Sequence, residues 1–318
     1  MEKIDEIQAR IDARMRELDA RMGKLSGEAT ETRAVPAAVR APGNAAAEGI
    51  RAAVALPNVP AAPADPKMWE TSPNELLQLM QYVCSSPHVT SNLKYAELAR
   101  KLQFNVNAEE SAVNAFSAVL KGDTPTITLL GGAIRFANLA AAAYVGAAAA
   151  REKPGEGNPL PEITAALGKW CLAHKGAFTP AATCEFAERY NLHMVMADPA
   201  LARKAKSFSA GLIIGILAHE LGHLALGHCH GNRVNLEVSR NQEREADSFA
   251  SSVISSSPFG DYLVFGMILW ETVWVWVEEA NGTTATSHPL SSERLADLIR
   301  ANPSIAAELG IGTKERAS

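Results

Sequence analysis

The run Ala210-Gly-Leu-Ile-Ile-Gly-Ile-Leu-Ala-His-Glu-Leu-Gly-His223, continued by Leu224-Ala-Leu-Gly-His228, decides how this chain is read. On a helix, residues four apart share a face, so His219 and His223 point at one metal ion while Glu220 sits beside them. Two neutral imidazoles can hold zinc and leave positions for a third ligand and a water, whose proton Glu220 is placed to take. The same spacing also arises by chance on amphipathic helices. A third ligand is therefore the deciding feature.

The next polar stretch, Ser239-Arg-Asn-Gln-Glu-Arg-Glu-Ala-Asp247, offers one. Glu243 and Asp247 are again four apart, so both carboxylates face the same way on a second helix. One can ligate zinc while the other accepts a hydrogen bond from the non-metal nitrogen of a ligand histidine, fixing its tautomer. Glu/Arg/Glu/Asp runs are ordinarily a solvated helix face. Beside two histidines that need a third donor, the ligand reading prevails.

Together these residues resemble a known family. HELGH followed by SRNQEREAD is similar to the SRxxExxAD pattern of gluzincins, specifically the HtpX, Oma and Ste-type CAAX-protease family of zinc endopeptidases. Ser287-His288-Pro289 with Arg294 resembles its HPxxxxR signature. Residues 113–116 (Val-Asn-Ala-Phe) and 131–134 (Gly-Gly-Ala-Ile) resemble its NAFA and GGxI segments. The resemblance implies Glu243 as third zinc ligand, Asp247 as the residue orienting a ligand histidine, and His288 as an oxyanion donor. It implies that Arg294 holds the His288 loop or binds a carboxylate. It also puts the substrate-binding edge strand near residues 131 to 136, with Gly132, Ala133 and Ile134 against the substrate. Residues 117 to 130 intervene where the family runs on directly, so an interruption of that strand is expected.

A chain of 318 residues can bury one large core or two small ones. Its net charge of -5 gives no electrostatic reason to expect nucleic acid or an anionic membrane as partner. The four cysteines, Cys84, Cys171, Cys184 and Cys229, form no CxxC pair and suit a reducing compartment; a Cys171–Cys184 disulfide is the exception if the protein is exported. The N-terminus, Met1-Glu-Lys-Ile-Asp5, is not a secretory signal. Neither residues 136–150, too short and mostly alanine, nor residues 262–277, interrupted by Glu271, meet the roughly 20 apolar residues a bilayer requires. A cytoplasmic protein without a membrane span is expected.

Three segments follow. In residues 1–25, Ile4, Ile7, Ile11, Met15, Leu18, Met22 and Leu25 make one apolar stripe on a charged helix, suited to a short coiled coil and self-association or to docking on the catalytic domain. Residues 26–66 are rich in Ala and Pro and read as a disordered linker. Residues 67–310 form the metallopeptidase domain, mainly α with a small β-sheet (α+β). Within it, Ser72-Pro73-Asn74-Glu75 opens a helix, and further helices cover residues 93–102, 163–174, 183–190, 261–279 and 291–300. Strands are expected at residues 113–119, 126–130 and 133–136, with an Ala-rich helix over 138–150. Trp69, Tyr82 and Tyr95 read as packing aromatics and His88 as a loop residue. The tryptophan-bearing helix, with Trp270 and Trp274, reads as core or an oligomer interface. His228, Cys229 and His230 fit a helix end better than a second metal site.

The expected activity is zinc-dependent hydrolysis of peptide bonds in a protein or peptide substrate, with one zinc ion held by His219, His223 and Glu243 and a water activated by Glu220. The alternatives are a zinc exopeptidase, a metal-assisted hydrolase of another bond, and a non-catalytic or latent zinc-containing interaction protein.

Overall fold

The metal-motif run lies on the longest helix, and its ends show why it is one helix. In a computed structural model, which describes residues 65–120, 123–149, 160–228, 236–256, 260–281 and 291–302, it spans Pro199–Leu226. Asp198 caps its start, accepting from the backbone N–H of Ala200 at 2.8 Å and of Leu201 at 3.0 Å, and Pro199 occupies the first position, where no donor is needed. Gly227, at φ 79°, ends it. The helix is long and apolar enough to cross a membrane, yet 67% of its most apolar window is buried against the rest of the chain. It is the core of the fold.

Around it the elements run as follows. A 3₁₀ turn (Pro66–Trp69) leads into α1 (Pro73–Cys84), α2 (Pro87–Thr90) and α3 (Leu93–Lys101). Three strands follow, β1 (Gln103–Asn107), β2 (Ala115–Leu120) and β3 (Thr124–Leu130). Then come α4 (Gly131–Ala149), α5 (Leu160–Ala173), α6 (Pro180–Arg189), α7 (Leu192–Ala197) and the long helix, α8. The chain continues with α9 (Leu236–Ser255), α10 (Gly260–Asn281) and α11 (Ser291–Ala301). Helices α4, α9 and α10 pack against α8, and the sheet covers part of the same core. The architecture is mainly helical with one small sheet, as the sequence leads one to expect.

The predicted start of α1 is present as a full capping box: Glu75 N–H donates to Ser72 Oγ at 3.3 Å and Ser72 N–H to Glu75 Oε2 at 2.9 Å. Trp69 is fully buried, and Tyr82 and Tyr95 pack against the core. His88 sits on the one-turn helix α2, not in a loop, with its ring edge against Phe249 at 4.9 Å. His174 stacks on Trp170, ring centroids 4.3 Å apart. Cys84, Cys171 and Cys184 are free thiols, so Cys171 and Cys184 are not bridged.

The sheet has the order β1-β3-β2, with β1 parallel and β2 antiparallel to β3. Strand β2 is therefore an edge, in register from Ala115 opposite Leu129 to Leu120 opposite Thr124. Strand β2 is not interrupted after residue 116: it continues to Leu120, and residues 124–130 form its partner β3. Strand β1 was not expected: Gln-Phe-Asn-Val-Asn carries two large apolar residues, and only those are partly covered.

The expected strand at residues 133–136 is a helix. Gly131 and Gly132 begin α4, where the backbone of residues 108–112 lies so close that a Cβ would stand 2.2 Å from Ala108 O and 2.0 Å from Ser111 O. The pair serves close approach rather than a turn. Arg135, nearly fully buried, then fastens that contact: Nε donates to Phe178 O at 2.6 Å, Nη1 to Ala108 O at 3.1 Å and Nη2 to Glu110 O at 3.3 Å. The alanines from Ala140 onward favour helix and carry it to Ala149.

The N-terminal helix, the linker up to residue 64, His288, Cys229 and His230 lie outside the described residues; the expected linker's last two residues, Asp65 and Pro66, are instead the cap and first position of the 3₁₀ turn.

Candidate metal centre

Helix α8 brings His219 and His223 to one face, and α9 crosses it closely enough to present a carboxylate to both. The crossing depends on Gly222, where a Cβ would be 3.1 Å from Ala246 O and from the Phe249 side chain. As a result Glu243 Oε2 lies 3.3 Å from His219 Nε2, and Glu243 Oε1 lies 3.6 Å from His223 Nε2. The two Nε2 atoms are 3.0 Å apart. Ligand atoms of all three residues fall within 4.8 Å of one another, so they could hold one metal ion.

Asp247, one turn beyond Glu243, contacts His219 Nδ1 at 2.8 Å. Its other interactions are with Arg294 on α11, whose Nε donates to Oδ2 and Nη2 to Oδ1, each at 2.7 Å. Arg294 Nη1 also lies 3.2 Å from Oε1 of Glu271, a buried residue of α10. Arg294 thus grips two protein carboxylates. Burial alone would raise the pKa of Asp247, but Arg294 and His219 outweigh it and hold the carboxyl well below its usual range. Burial likewise opposes the charge on Arg294, and Glu271 and Asp247 more than offset it.

His219 reports the field of the site. Burial would lower its pKa, yet hydrogen bonds with Asp247 and Glu243 raise it to about 10. Two imidazoles and a carboxylate converge on one point, and the field there favours positive charge, which a proton on His219 or a metal ion could supply. With His219 Nδ1–H given to Asp247, Nε2 is the nitrogen that faces Glu243 and His223, and a metal ion would take the place of its proton. Two imidazoles and a carboxylate are a donor set that zinc accepts. The residues present fit such an ion.

The centre opens into a cleft of about 610 Å³ lined on one side by His219, Glu220, His223 and Glu243. Glu220 is partly exposed there. Residues 113–117, leading into and forming the start of edge strand β2, line the cleft as well. Met267, Trp270 and Trp274 of α10 provide an apolar wall. Trp270 is shared with the core, edge-on to Phe136 at 5.2 Å. His228 also reaches the cleft, its Nδ1 3.3 Å from His223 Nδ1 and its Nε2 2.9 Å from Glu245 Oε2.

Three corrections follow. Gly132, Ala133 and Ile134 do not face a substrate: they lie in the first turn of α4, buried, and none lines the cleft. The strand beside the metal helix is β2 instead. Trp270 and Trp274 belong to the cleft as well as to the packing of α10, and Glu271, read only as an interruption of an apolar helix, is the second anchor of Arg294. A carboxylate set inside the apolar, tryptophan-rich run 262–277 is the signal that could have found it, since such a group is rarely buried without a cationic partner.

Residues 212–308 match the model of the Peptidase U49 family. The Peptidase U49 match begins within α8 and takes in His219, Glu220, His223, Glu243, Asp247 and Arg294. It supports a peptidase whose substrates are proteins or peptides. The matching family is described as Peptidase U49, not as the HtpX, Oma and Ste-type family whose motifs the sequence resembles. No curated protein and no solved structure matches the chain.

Proposed function

We propose that the protein is a zinc-dependent metalloendopeptidase. The observation that carries this reading is the convergence of His219, His223 and Glu243 at 3.0 to 3.6 Å in a cleft that also holds Glu220. Zinc bound by these three residues would supply Lewis acidity, polarising a carbonyl and bringing the pKa of a water to about 7.

The chain's own residues do the rest. Glu220 takes the proton of the attacking water and delivers it to the leaving amine. Asp247 holds His219 in the tautomer that leaves Nε2 free, and Arg294 and Glu271 hold Asp247. An extended peptide adds to the exposed edge of β2, where main-chain hydrogen bonds align it along the cleft. Met267, Trp270 and Trp274 favour an apolar side chain at the position that meets them. His288, assigned by the resemblance alone, would donate to the oxyanion developing on the attacked carbonyl, a role worth about 3 kcal/mol. The protein's free thiols at Cys84, Cys171 and Cys184 suit a reducing compartment, and on that ground we place it in the cytoplasm.

The test couples metal analysis to cleavage of casein and of blocked and unblocked peptides, with and without chelator. Expected are zinc near one equivalent, cleavage of blocked peptides, and loss of activity on chelation restored by zinc. Zinc without cleavage would favour a non-catalytic zinc-containing interaction protein. Cleavage confined to unblocked peptides would favour an exopeptidase.

A further inference from the structure

Of the two imidazoles at the centre, His219 has a recognised orienting partner in Asp247. His223 has a different one. Immediately after Gly227 the chain folds back, the backbone N–H of His228 donates to His223 O at 2.8 Å, and the two rings lie 5.3 Å apart at 71°. The His228 side chain is only 7% exposed, and its two nitrogens have separate neighbours, His223 Nδ1 at 3.3 Å and Glu245 Oε2 at 2.9 Å. Glu245 is two residues from Glu243 on α9, so both ends of this chain of contacts are set by the same two helices that build the centre.

We infer that His228, held by Glu245, is a positioning residue that fixes the tautomer and ring orientation of His223. A carboxylate only accepts, so the nitrogen facing Glu245 carries the hydrogen and His228 Nδ1 presents its lone pair. Of two ring nitrogens in hydrogen-bond contact, one must donate, and His223 Nδ1 is then the donor. This leaves the lone pair of His223 on Nε2, directed at His219 and Glu243. The arrangement Glu245–His228–His223 repeats with a relayed contact what Asp247–His219 achieves directly. Glu245 is 63% exposed, so its contribution is directional, through the hydrogen bond it accepts, more than through its charge.

The inference rests on the metal-centre reading for its consequence, but its first measurement needs no metal. In the metal-free full-length chain with ¹⁵N-labelled histidines, long-range ¹H–¹⁵N spectra should show His223 as the Nδ1–H tautomer. His228→Ala should shift it toward Nε2–H, and His228→Asn should restore it, because the amide Oδ1 takes the place of Nδ1 as acceptor. Competition against a coloured zinc chelator should show His228→Ala weakened about 10–100-fold, the range for lost orienting partners. His228→Asn should lie within a few-fold of the wild type, with Glu245→Ala between. A His228→Ala chain with an unchanged His223 tautomer and unchanged zinc affinity overturns the inference. A wild-type chain that takes up no zinc sinks the metal reading alone, and the tautomer measurement then decides the positioning role.

Discussion

At the scale of single residues, Glu220 and Arg294 separate chemistry from structure. Glu220→Gln removes the proton acceptor but no ligand. Zinc content should be unchanged while kcat falls by about 10²–10⁴-fold, read by metal analysis and peptide cleavage on one preparation. Arg294 is different, because Asp247 and Glu271 both depend on it. Arg294→Ala leaves two covered carboxylates without their cation, and a loss of about 3–5 kcal/mol is expected in denaturant unfolding. The thiols make a pH prediction. Burial pushes Cys171 up to about 12 and Cys84 up to about 11, from 9.0. A pKa raised by folding stabilises fully below the unfolded value and loses that effect as pH rises through the folded one. Stability should therefore decline from pH 9.0 toward about 12, and Cys171→Ala should flatten that decline in urea midpoints.

At the scale of elements, the first turn of α4 is the position least tolerant of change. Gly132→Ala places a methyl 2.0 Å from Ser111 O, and backbone cannot yield as a flexible side chain can. A destabilisation of about 1–3 kcal/mol or more is expected, measured as a shift in denaturation midpoint at constant slope. The same turn shows where sequence reading stops. A Gly-Gly pair after a β-branched run is a turn signal, and it is equally the mark of two backbones in contact; only the position of residues 108–112, far off in sequence pairing, distinguishes them. By contrast, the i, i+4 spacing on α8 and again on α9 is an intrinsic property of the helix, so His219, His223, Glu243 and Asp247 could be placed on common faces from spacing alone. Strand β1 was invisible because three of its five residues are polar and its order comes from pairing with β3. The need of Glu271 for a cation was legible from its apolar surroundings, but not that Arg294, on another helix, supplies it.

At the scale of the whole molecule, the described fold begins where Trp69 seats in the core. Its carbonyl accepts from Asn138 Nδ2 at 2.8 Å, and Asn138 Oδ1 in turn accepts from Ser209 of α8. Compared with a chain starting at Asp65, one starting at Ser72 should lose about 3–5 kcal/mol in denaturant unfolding, the cost of removing a buried tryptophan. The mainly helical class was legible because long apolar segments outnumber alternating ones. That α8 forms the centre was less legible: its metal-motif stretch could be placed on a helix, but its start at Pro199 and its cap at Asp198 were not read from the sequence.

The grip of Arg135 on three carbonyls has an evolutionary reach. It ties residues 108 and 110, on the connection that leads from β1 to the rim strand, to buried helix α4, so where that strand begins is set by the fold itself. Residues such as Phe116, half exposed on the rim itself, carry little of this burden. Preference for one sequence over another can therefore drift by replacements there while the scaffold beneath stays constant.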